Sequence, residues 1–236
     1  MISFKSLLCA AGFFGVATTA LANAPLTLLT EEYPPYNYTE NGEIVGSATD
    51  LVREALEAAN VAYAMEVQPW ARAFSTAQNT ANTCVFSTSV TDERKPKFKW
   101  VTPLDENHII LVGRKSDSHV ITSLDDARAL SIGTYNGDVT EDILKAEGMN
   151  IVSAPKEELN PKKLKAGRVD LWVTFRNRLQ QENDPDLEEV YVVQSTMTGL
   201  ACNLDVDDAT IASIQSSLDR LIADGRAKEI NGLYNN

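Results

Sequence analysis

Apolar positions recur along this chain at two spacings, one typical of strands and the other of helices. Apolar or alternating runs predict strands at 26–30, 63–68, 84–86, 109–112, 130–133, 151–153, 169–174 and 190–193. Apolar stripes three and four positions apart predict helices at 50–59, 69–77, 139–146 and near 161–166, and a last helix that begins at Asp207 or Asp208 and stops at Gly225. Strands alternating with helices favour parallel sheets covered by helices, and the blocks 25–112 and 113–193 predict a two-lobed α/β protein.

Local signals support two of these helices. The hydroxyl side chains between Ser47 and Thr49 are expected to cap the helix at 50–59, since they accept hydrogen bonds from the free N–H groups of a first turn. Pro69 suits the first position of the next helix, because proline there loses no hydrogen bond.

The first 22 residues read as an export signal. Lys5 supplies a positive start, residues 7–17 an apolar core, and Ala20-Leu21-Ala22 a small-x-small cleavage site, so we expect cleavage after Ala22 and a mature protein beyond the cytoplasm. A buried N-terminal helix is the alternative. A lipid anchor on Cys9 is not expected, because the preceding Ser6-Leu7-Leu8 has no leucine three positions before the cysteine and no small residue directly before it.

Composition narrows the function classes. With 21 Lys+Arg against 33 Asp+Glu, the net charge of −12 repels phosphates at long range, so no nucleic-acid partner is expected. No apolar run approaches the roughly 20 residues that cross a bilayer.

The sequence gives little support for an enzyme, because the motifs of common catalytic sites are missing. The two histidines, His108 and His119, lack metal-ligand spacing, and G-x-S-x-G, P-loop and G-x-G-x-x-G motifs are absent, so neither metal nor cofactor is expected. With 33 acidic residues a catalytic pair of carboxylates remains an alternative, although nothing in the sequence singles out one pair.

Two cysteines remain after export. Cys84 and Cys202 are expected to form one disulfide, as is usual for exported chains, with two buried free thiols as the alternative. If they pair, the start and the end of the chain lie in the same lobe.

Groups suited to ligand contact lie at the ends of predicted strands. Residues 87–94 follow a strand and combine Ser87 and Ser89 with Arg94, whose planar guanidinium matches a carboxylate. The alternative for Arg94 is a surface ion pair with Asp92 or Glu93.

Aromatic residues occupy similar positions. Tyr33 and Tyr36 flank a Pro-Pro pair directly after the first strand, where a pocket wall is expected, and Trp70 follows another strand. Ordinary core packing is the alternative for these side chains.

In combination these features resemble a family, the type 2 periplasmic solute-binding proteins related to the polar amino-acid binding proteins of ABC transporters. The similarity rests on T-x-x-Y-P-P-Y (Thr30 to Tyr36), G-x-x-x-D-L (Gly46 to Leu51), S-x-S-x-T-x-x-R (Ser87 to Arg94), Gly137 to Glu141 at the start of a helix, and A-G-R-x-D (Ala166 to Asp170). The motifs cover nearly the whole chain after the signal segment.

The resemblance implies a periplasmic binding protein-like type II fold with two hinge strands. Each lobe has a central β-sheet flanked by helices, lobe 1 being 23–112 plus 195–236 and lobe 2 being 113–194, with crossings near 109–114 and 190–195. It further implies a monomer that closes on a small solute and serves ABC permease subunits. A sensor-associated or orphan binding protein is the alternative, and an enzyme on the same scaffold is a third.

By the same resemblance, Arg94 holds a ligand carboxylate, the two serines donate hydrogen bonds, Tyr33 stacks on the ligand, and the helix start at 138–140 offers backbone N–H groups, for which its dipole gives physical support. The expected ligand-binding residues are Tyr33, Tyr36, Trp70, Ser87, Ser89, Arg94, Asp138, Val139, Thr140 and Phe175.

One position departs from the family pattern. Many amino-acid binders carry an acidic residue for the ligand's ammonium where this chain has Phe175. A buried ammonium without an acceptor is costly, so an organic anion or a modified amino acid is slightly favoured unless Glu31, Glu32 or Asp138 substitutes. Trp172 and Arg176 are expected to add an aromatic wall and a second cation.

Overall fold

The computed structural model describes residues 24–234, apart from the side chain of residue 107. The predicted export signal therefore lies outside the described residues. The strands are β1 Leu26–Thr30, β2 Tyr38–Glu40, β3 Glu43–Val45, β4 Tyr63–Val67, β5 Thr83–Ser89, β6 Lys99–Arg114, β7 Ile132–Tyr135, β8 Ile151–Ala154, β9 Leu171–Phe175 and β10 Leu187–Cys202. The helices are α1 Ser47–Ala58, α2 Trp70–Asn79, α3 Val139–Ala146, α4 Leu159–Lys165, α5 Arg176–Glu182, α6 Asp208–Ala223 and α7 Arg226–Tyr234.

Two long antiparallel strands, β6 and β10, connect two sheets. The hydrogen-bonded order is β4-β1-β5-β10-β6-β9-β7-β8. In the first lobe β1 pairs in parallel with β4 and β5, and β5 pairs with β10 from Thr198 onward. In the second lobe β7 pairs in parallel with β8 and β9, and β9 pairs with β6 from Ile109 onward. The predicted two-lobed α/β architecture is therefore confirmed.

Each lobe has its own buried core. The first combines side chains of β1, α1, β5 and α6, among them Leu28, Leu51 and Phe86. The second contains Ile109 and Leu111 of β6 together with side chains of α3 and β9. Residues 109–112, which the sequence predicts at the end of the first lobe, pair with β9, and Ile109 and Leu111 contribute to the second core.

The disulfide has a simple structural basis. Cys84 on β5 and Cys202 on β10 lie opposite each other in the antiparallel pairing, and they are bonded, as the sequence predicts. The early strand and the end of the second hinge strand therefore belong to one lobe.

Helix starts show where local signals succeed and fail. Asp207 caps α6 by accepting a hydrogen bond from the Thr210 N–H at 3.0 Å, as expected. The expected capping of α1 by residues 47–49 is wrong, because the helix already begins at Ser47 with Gly46 as its cap. At Gly46 φ is +125°, and an added Cβ would lie 2.3 Å from the Tyr36 carbonyl oxygen, so only glycine fits this close approach.

None of the helices within residues 24–234 combines the length and apolar character of a membrane span.

Candidate functional site

Side chains from both lobes enclose a small cavity of about 20 Å³ where the two sheets meet. Its lining consists of Glu31, Tyr33, Trp70, Ser87, Ser89, Arg94, Asp138 and Phe175. Seven of the ten residues expected from the sequence are thus brought together. Thr140 lines an adjoining cavity of about 10 Å³ that also borders Glu157.

The guanidinium of Arg94 is the buried cation of this cavity. The residue is only 4% exposed, and its side chain leaves a tight turn closed by a hydrogen bond from the Arg94 N–H to the Thr91 carbonyl oxygen at 3.0 Å. Nη2 lies 3.3 Å from a carboxylate oxygen of Asp142 on α3. Nη1 is buried and has no hydrogen-bond partner within the described chain, so it remains available to an anion.

The surface ion pair considered for Arg94 does not form. Asp92 pairs with Lys95 at 2.8 Å, and Glu93 pairs with Lys97 at 2.7 Å. These pairs leave Arg94 free to turn inward.

Two aromatic rings of α2 pack against the guanidinium of Arg94. Its guanidinium carbon lies 4.8 Å from the centre of the Phe74 ring and 5.9 Å from that of Trp70. Such cation–π contacts favour the charged group without using its hydrogen-bond donors.

Ser87 lies at an irregularity of β5. Its φ is +58°, and the pairing of β5 with β10 slips at this point, as in a β-bulge, which re-aims side chains. The Ser87 hydroxyl donates to the Asn37 side-chain oxygen at 2.6 Å. Ser87 and Ser89 both face the cavity.

The Tyr33 ring is held between two other rings. It stacks on Tyr36 with centroids 5.8 Å apart, and the edge contact with Phe175 has a centroid distance of 6.3 Å. Tyr36 itself is buried in the first core and lines neither small cavity, so it supports Tyr33 from behind.

The start of α3 offers fewer donors than expected. Asp138 caps its own helix, its carboxylate accepting from the Thr140 N–H at 2.9 Å and the Thr140 hydroxyl at 2.6 Å. The Asp138 N–H donates to the Tyr135 carbonyl oxygen at 3.1 Å, and the Val139 N–H is then the one donor of this turn without a partner among the described residues. This helix start therefore brings the Asp138 carboxylate to the cavity, together with the one free N–H of Val139.

Two further expectations about the pocket wall are wrong. Trp172 is fully buried in the second lobe and donates to Glu157 at 3.0 Å. Arg176 forms a two-pronged pair with Glu189, both distances being 2.7 Å. Neither side chain lines the cavity at Arg94.

Direct contacts join the lobes around the cavity. The Trp70 indole N–H donates to the Gly137 carbonyl oxygen at 2.9 Å, and the Tyr135 hydroxyl donates to the Glu31 carboxylate at 2.8 Å. The Arg94–Asp142 pair also crosses the gap. This is therefore a closed arrangement, and a solute can enter only when the lobes part.

Sequence reasoning missed Glu157, which reads as an ordinary acid at the start of α4. The side chain is buried and accepts hydrogen bonds from Trp172, Thr174 and Asn160 at 3.0, 2.9 and 3.1 Å. Burial, aided by the negative charge of Asp138, raises the pKa of its carboxyl to about 7, while these donors oppose the rise.

Burial also raises the pKa of Glu31 well above its usual range. The hydrogen bond from Tyr135 opposes this rise, whereas the charges of Asp138 and Glu157 add to it. Both carboxyl groups are therefore poorly neutralised by the surrounding protein.

A wider cavity of about 290 Å³ lies on the other side of Glu31 and Tyr135. Glu157 and Glu158 line its second-lobe side. A larger groove of about 720 Å³ lies elsewhere on the first lobe, between α1, β1 and α6, but its lining contains no buried charged side chain. Within residues 24–234 no group of three potential ligands is arranged to hold a metal ion.

The sequence and the fold were compared with known proteins. Residues 26–236 match the family model described as bacterial extracellular solute-binding proteins, family 3. No curated protein matches the sequence.

Solved structures share the fold at low identity. A histidine kinase sensor domain with similarity to periplasmic binding proteins has a TM-score of 0.81 and 18% identity, covering 90% of this chain and 96% of its own. An ancestral arginine-binding protein bound to arginine has 0.78 and 22%, covering 91% and 100%. The arginine-, lysine-, histidine-binding protein ArtJ from Geobacillus stearothermophilus has 0.80 and 20%, covering 89% and 95%.

Proposed function

The chain belongs to the bacterial extracellular solute-binding proteins, family 3, and on that premise we propose that it captures a small carboxylate-bearing solute by closing two lobes around it. The supporting observation is Arg94, which lines the interlobe cavity and whose buried Nη1 has no partner in the described chain. An unpaired buried donor is costly, and a charged one more so, hence a ligand carboxylate at Nη1 is strongly favoured.

Ligand capture depends on differential affinity for the closed form. The ligand contacts Arg94 and the serines on the first lobe and Asp138 and Phe175 on the second, so only the closed arrangement provides every contact. A ligand shifts the open–closed equilibrium only by its difference in affinity for the two forms. The protein binds the solute without chemical change.

The family and the predicted export signal support a place of action outside the cytoplasm. We propose that the signal segment is removed after Ala22 and that the protein works as a monomer in the periplasm, delivering amino acids or related solutes to ABC permease subunits. N-terminal sequencing of the exported protein tests the first step, and a mature chain that keeps Lys5 contradicts it.

A sensory partner is the second candidate. The similarity to a histidine kinase sensor domain favours it, because that domain uses the same fold for signalling. Co-purification from membranes separates the two candidates, since recovery of permease subunits supports import and recovery of a receptor kinase supports sensing.

Binding itself is tested by a thermal-shift screen of amino acids and organic acids. A ligand at a hundredfold excess over its dissociation constant stabilises the protein by about 2.7 kcal/mol, a readily measured shift. We expect the stabilising compounds to carry a carboxylate. Stabilisation only by sugars or other uncharged solutes contradicts the proposal.

A further inference from the structure

The guanidinium of Arg94 has two separate donors at the cleft. Its buried Nη1 has no partner in the described chain, and the proposed function gives that donor to the ligand carboxylate. Its Nη2 instead lies 3.3 Å from a carboxylate oxygen of Asp142. Because a guanidinium presents its donors as a rigid planar fork, one group can hold a ligand and Asp142 at the same time.

Asp142 belongs to the opposite lobe. Arg94 follows β5 of the first lobe, whereas Asp142 lies in the first turn of α3 in the second lobe. The ion pair between them therefore crosses the cleft. It exists only in the closed arrangement, since parting of the lobes moves α3 away from β5.

Asp142 approaches Arg94 from the rim of the cleft. The Asp142 side chain is 44% exposed, whereas that of Arg94 is 5% exposed. Among the described residues that line the small cavity at Arg94, the second lobe contributes Asp138 and Phe175 but not Asp142. A ligand in this cavity thus leaves the contact between Arg94 and Asp142 in place, so Asp142 does not compete for the ligand site.

The start of α3 packs closely against the same part of the first lobe. The Trp70 indole N–H donates to the Gly137 carbonyl oxygen at 2.9 Å, and the centre of the Trp70 ring lies 5.9 Å from the guanidinium carbon of Arg94. A Cβ added to Gly137 would lie 3.4 Å from the Ala71 side chain. Trp70 and Arg94 therefore form one surface that receives this helix start on closure.

Closure removes part of the water around the Asp142 carboxylate. Burial raises the pKa of this carboxyl, and the nearby negative charges of Glu93 and Asp138 add to the rise. The positive charge and the hydrogen bond of Arg94 oppose it. The ionised carboxylate therefore depends on Arg94 in the closed form.

We propose that Asp142 stabilises the closed, ligand-bound form through Arg94 and thereby sets how long the ligand stays bound. This inference rests on the proposed function, since it takes Arg94 as the residue that holds the ligand carboxylate. Asp142 is a positioning residue, because it contacts Arg94 and holds the second lobe against a site that it does not itself line.

Stopped-flow kinetics test the inference. The probes are L-arginine, L-glutamate, succinate and the compound with the largest shift in the thermal-shift screen, and the one with the lowest dissociation constant for wild type is called the tightest probe. Trp70 lies at the contact between the lobes, so tryptophan fluorescence follows closure. Asp142→Asn is expected to raise the dissociation rate of the tightest probe at least about threefold and to keep its association rate within about twofold, because the ion pair forms after the ligand has entered.

Matched variants separate this contact from a general effect of charge on α3. Glu147→Gln removes the same charge from the exposed end of the same helix and is expected to keep both rates. Asp142→Glu keeps the charge and is expected to recover most of the wild-type dissociation rate. Asp142→Ala provides the same comparison if the asparagine variant does not fold.

A double-mutant comparison tests whether Asp142 acts through Arg94. An acid in the first turn also stabilises a helix through its dipole, and that effect does not need Arg94. In an Arg94→Ala background, Asp142→Asn is therefore expected to cause no further increase in the dissociation rate. The same increase in both backgrounds refutes the inference.

The outcomes separate this inference from the proposed function. If Asp142→Asn keeps the wild-type dissociation rate, the role of Asp142 is refuted while carboxylate capture stands. Tighter binding by Asp142→Asn also refutes it, because Asp142 would then compete with the ligand for Arg94. If no probe binds, or Arg94→Ala leaves every affinity unchanged, the proposed function fails and the inference falls with it.

Discussion

Replacing Glu157 by glutamine tests the electrostatics of the cleft. The wild-type carboxyl is mostly neutral at pH 5 and mostly ionised at pH 8, because burial raises its pKa from 4.5 to about 7. In the unfolded chain it ionises near 4.5. The folded protein therefore holds a proton that the unfolded chain releases between these values, and this contribution to stability is lost as the pH rises.

The expected size follows from the shift. One pKa unit corresponds to about 1.4 kcal/mol, so a shift of roughly 2.5 units costs about 2 to 3 kcal/mol between pH 5 and pH 8. Glutamine cannot ionise, hence the variant keeps its stability over that interval. Asn160 can accommodate the new amide, because the Asn160 side-chain oxygen has no partner in the described chain and can accept a hydrogen bond from the introduced side-chain N–H after an amide flip.

Urea unfolding at pH 5 and pH 8 measures the effect. Relative to wild type, Glu157→Gln is expected to gain about 2 to 3 kcal/mol in free energy of unfolding on going from pH 5 to pH 8. Because the variant is compared with wild type, the contributions of other titrating groups cancel. One of these groups is Asp105, where burial raises the pKa to about 6. Glu158→Gln, with its exposed side chain, should follow wild type. If the free energy of unfolding changes between pH 5 and pH 8 by the same amount in Glu157→Gln as in wild type, a poorly solvated carboxyl at Glu157 is refuted.

Three further predictions concern closure, proton linkage and the disulfide. Trp70→Phe removes the hydrogen bond to the Gly137 carbonyl but keeps a ring, so affinity for the tightest probe should fall about two- to tenfold by calorimetry, and an unchanged affinity contradicts a role in closure. Binding of a cationic amino acid such as L-lysine at pH 7 should release protons, detected as a buffer-dependent heat, because a nearby cation lowers the pKa of Glu157. Proton uptake on binding contradicts this prediction. The Cys84→Ser/Cys202→Ser variant should lose up to about 5 kcal/mol of unfolding free energy in urea titrations, given the 118-residue separation, and equal midpoints contradict that estimate.

Patterns that depend on near neighbours predicted the fold well. The helix expected at 139–146 is α3 with the same bounds, and the strand expected at 26–30 is β1. The hinge strands are much longer than predicted, because the polar stretch from Lys99 to His108 shows no regular alternation, and only its pairing with β10 makes it a strand. The hairpin β2–β3 and helices α5 and α7 lacked a sufficient apolar pattern.

The residues of the site also fall into those that local motifs predict and those that depend on contacts between distant segments. Motif residues such as Arg94 and Ser89 could be predicted because their types and spacing follow a known pattern. Glu157 could not, since its importance comes from burial against β9 and from the Tyr135 side of the cleft, which are contacts between distant segments. For Asp138 the sequence predicts the position at a helix start. It does not predict that the Asp138 carboxylate caps this helix.

The dissociation constant of the tightest carboxylate-bearing probe, measured side by side for wild type, Arg94→Ala and Arg72→Ala, tests the central claim most directly. Arg72 lies two residues after Trp70 on α2 and is exposed, so its variant controls for the loss of a positive charge. Because a charge-assisted hydrogen bond in a buried site contributes about 1.5 to 3 kcal/mol, Arg94→Ala should weaken binding by more than tenfold, while Arg72→Ala leaves it within about twofold. Equal dissociation constants for wild type and Arg94→Ala would contradict the account.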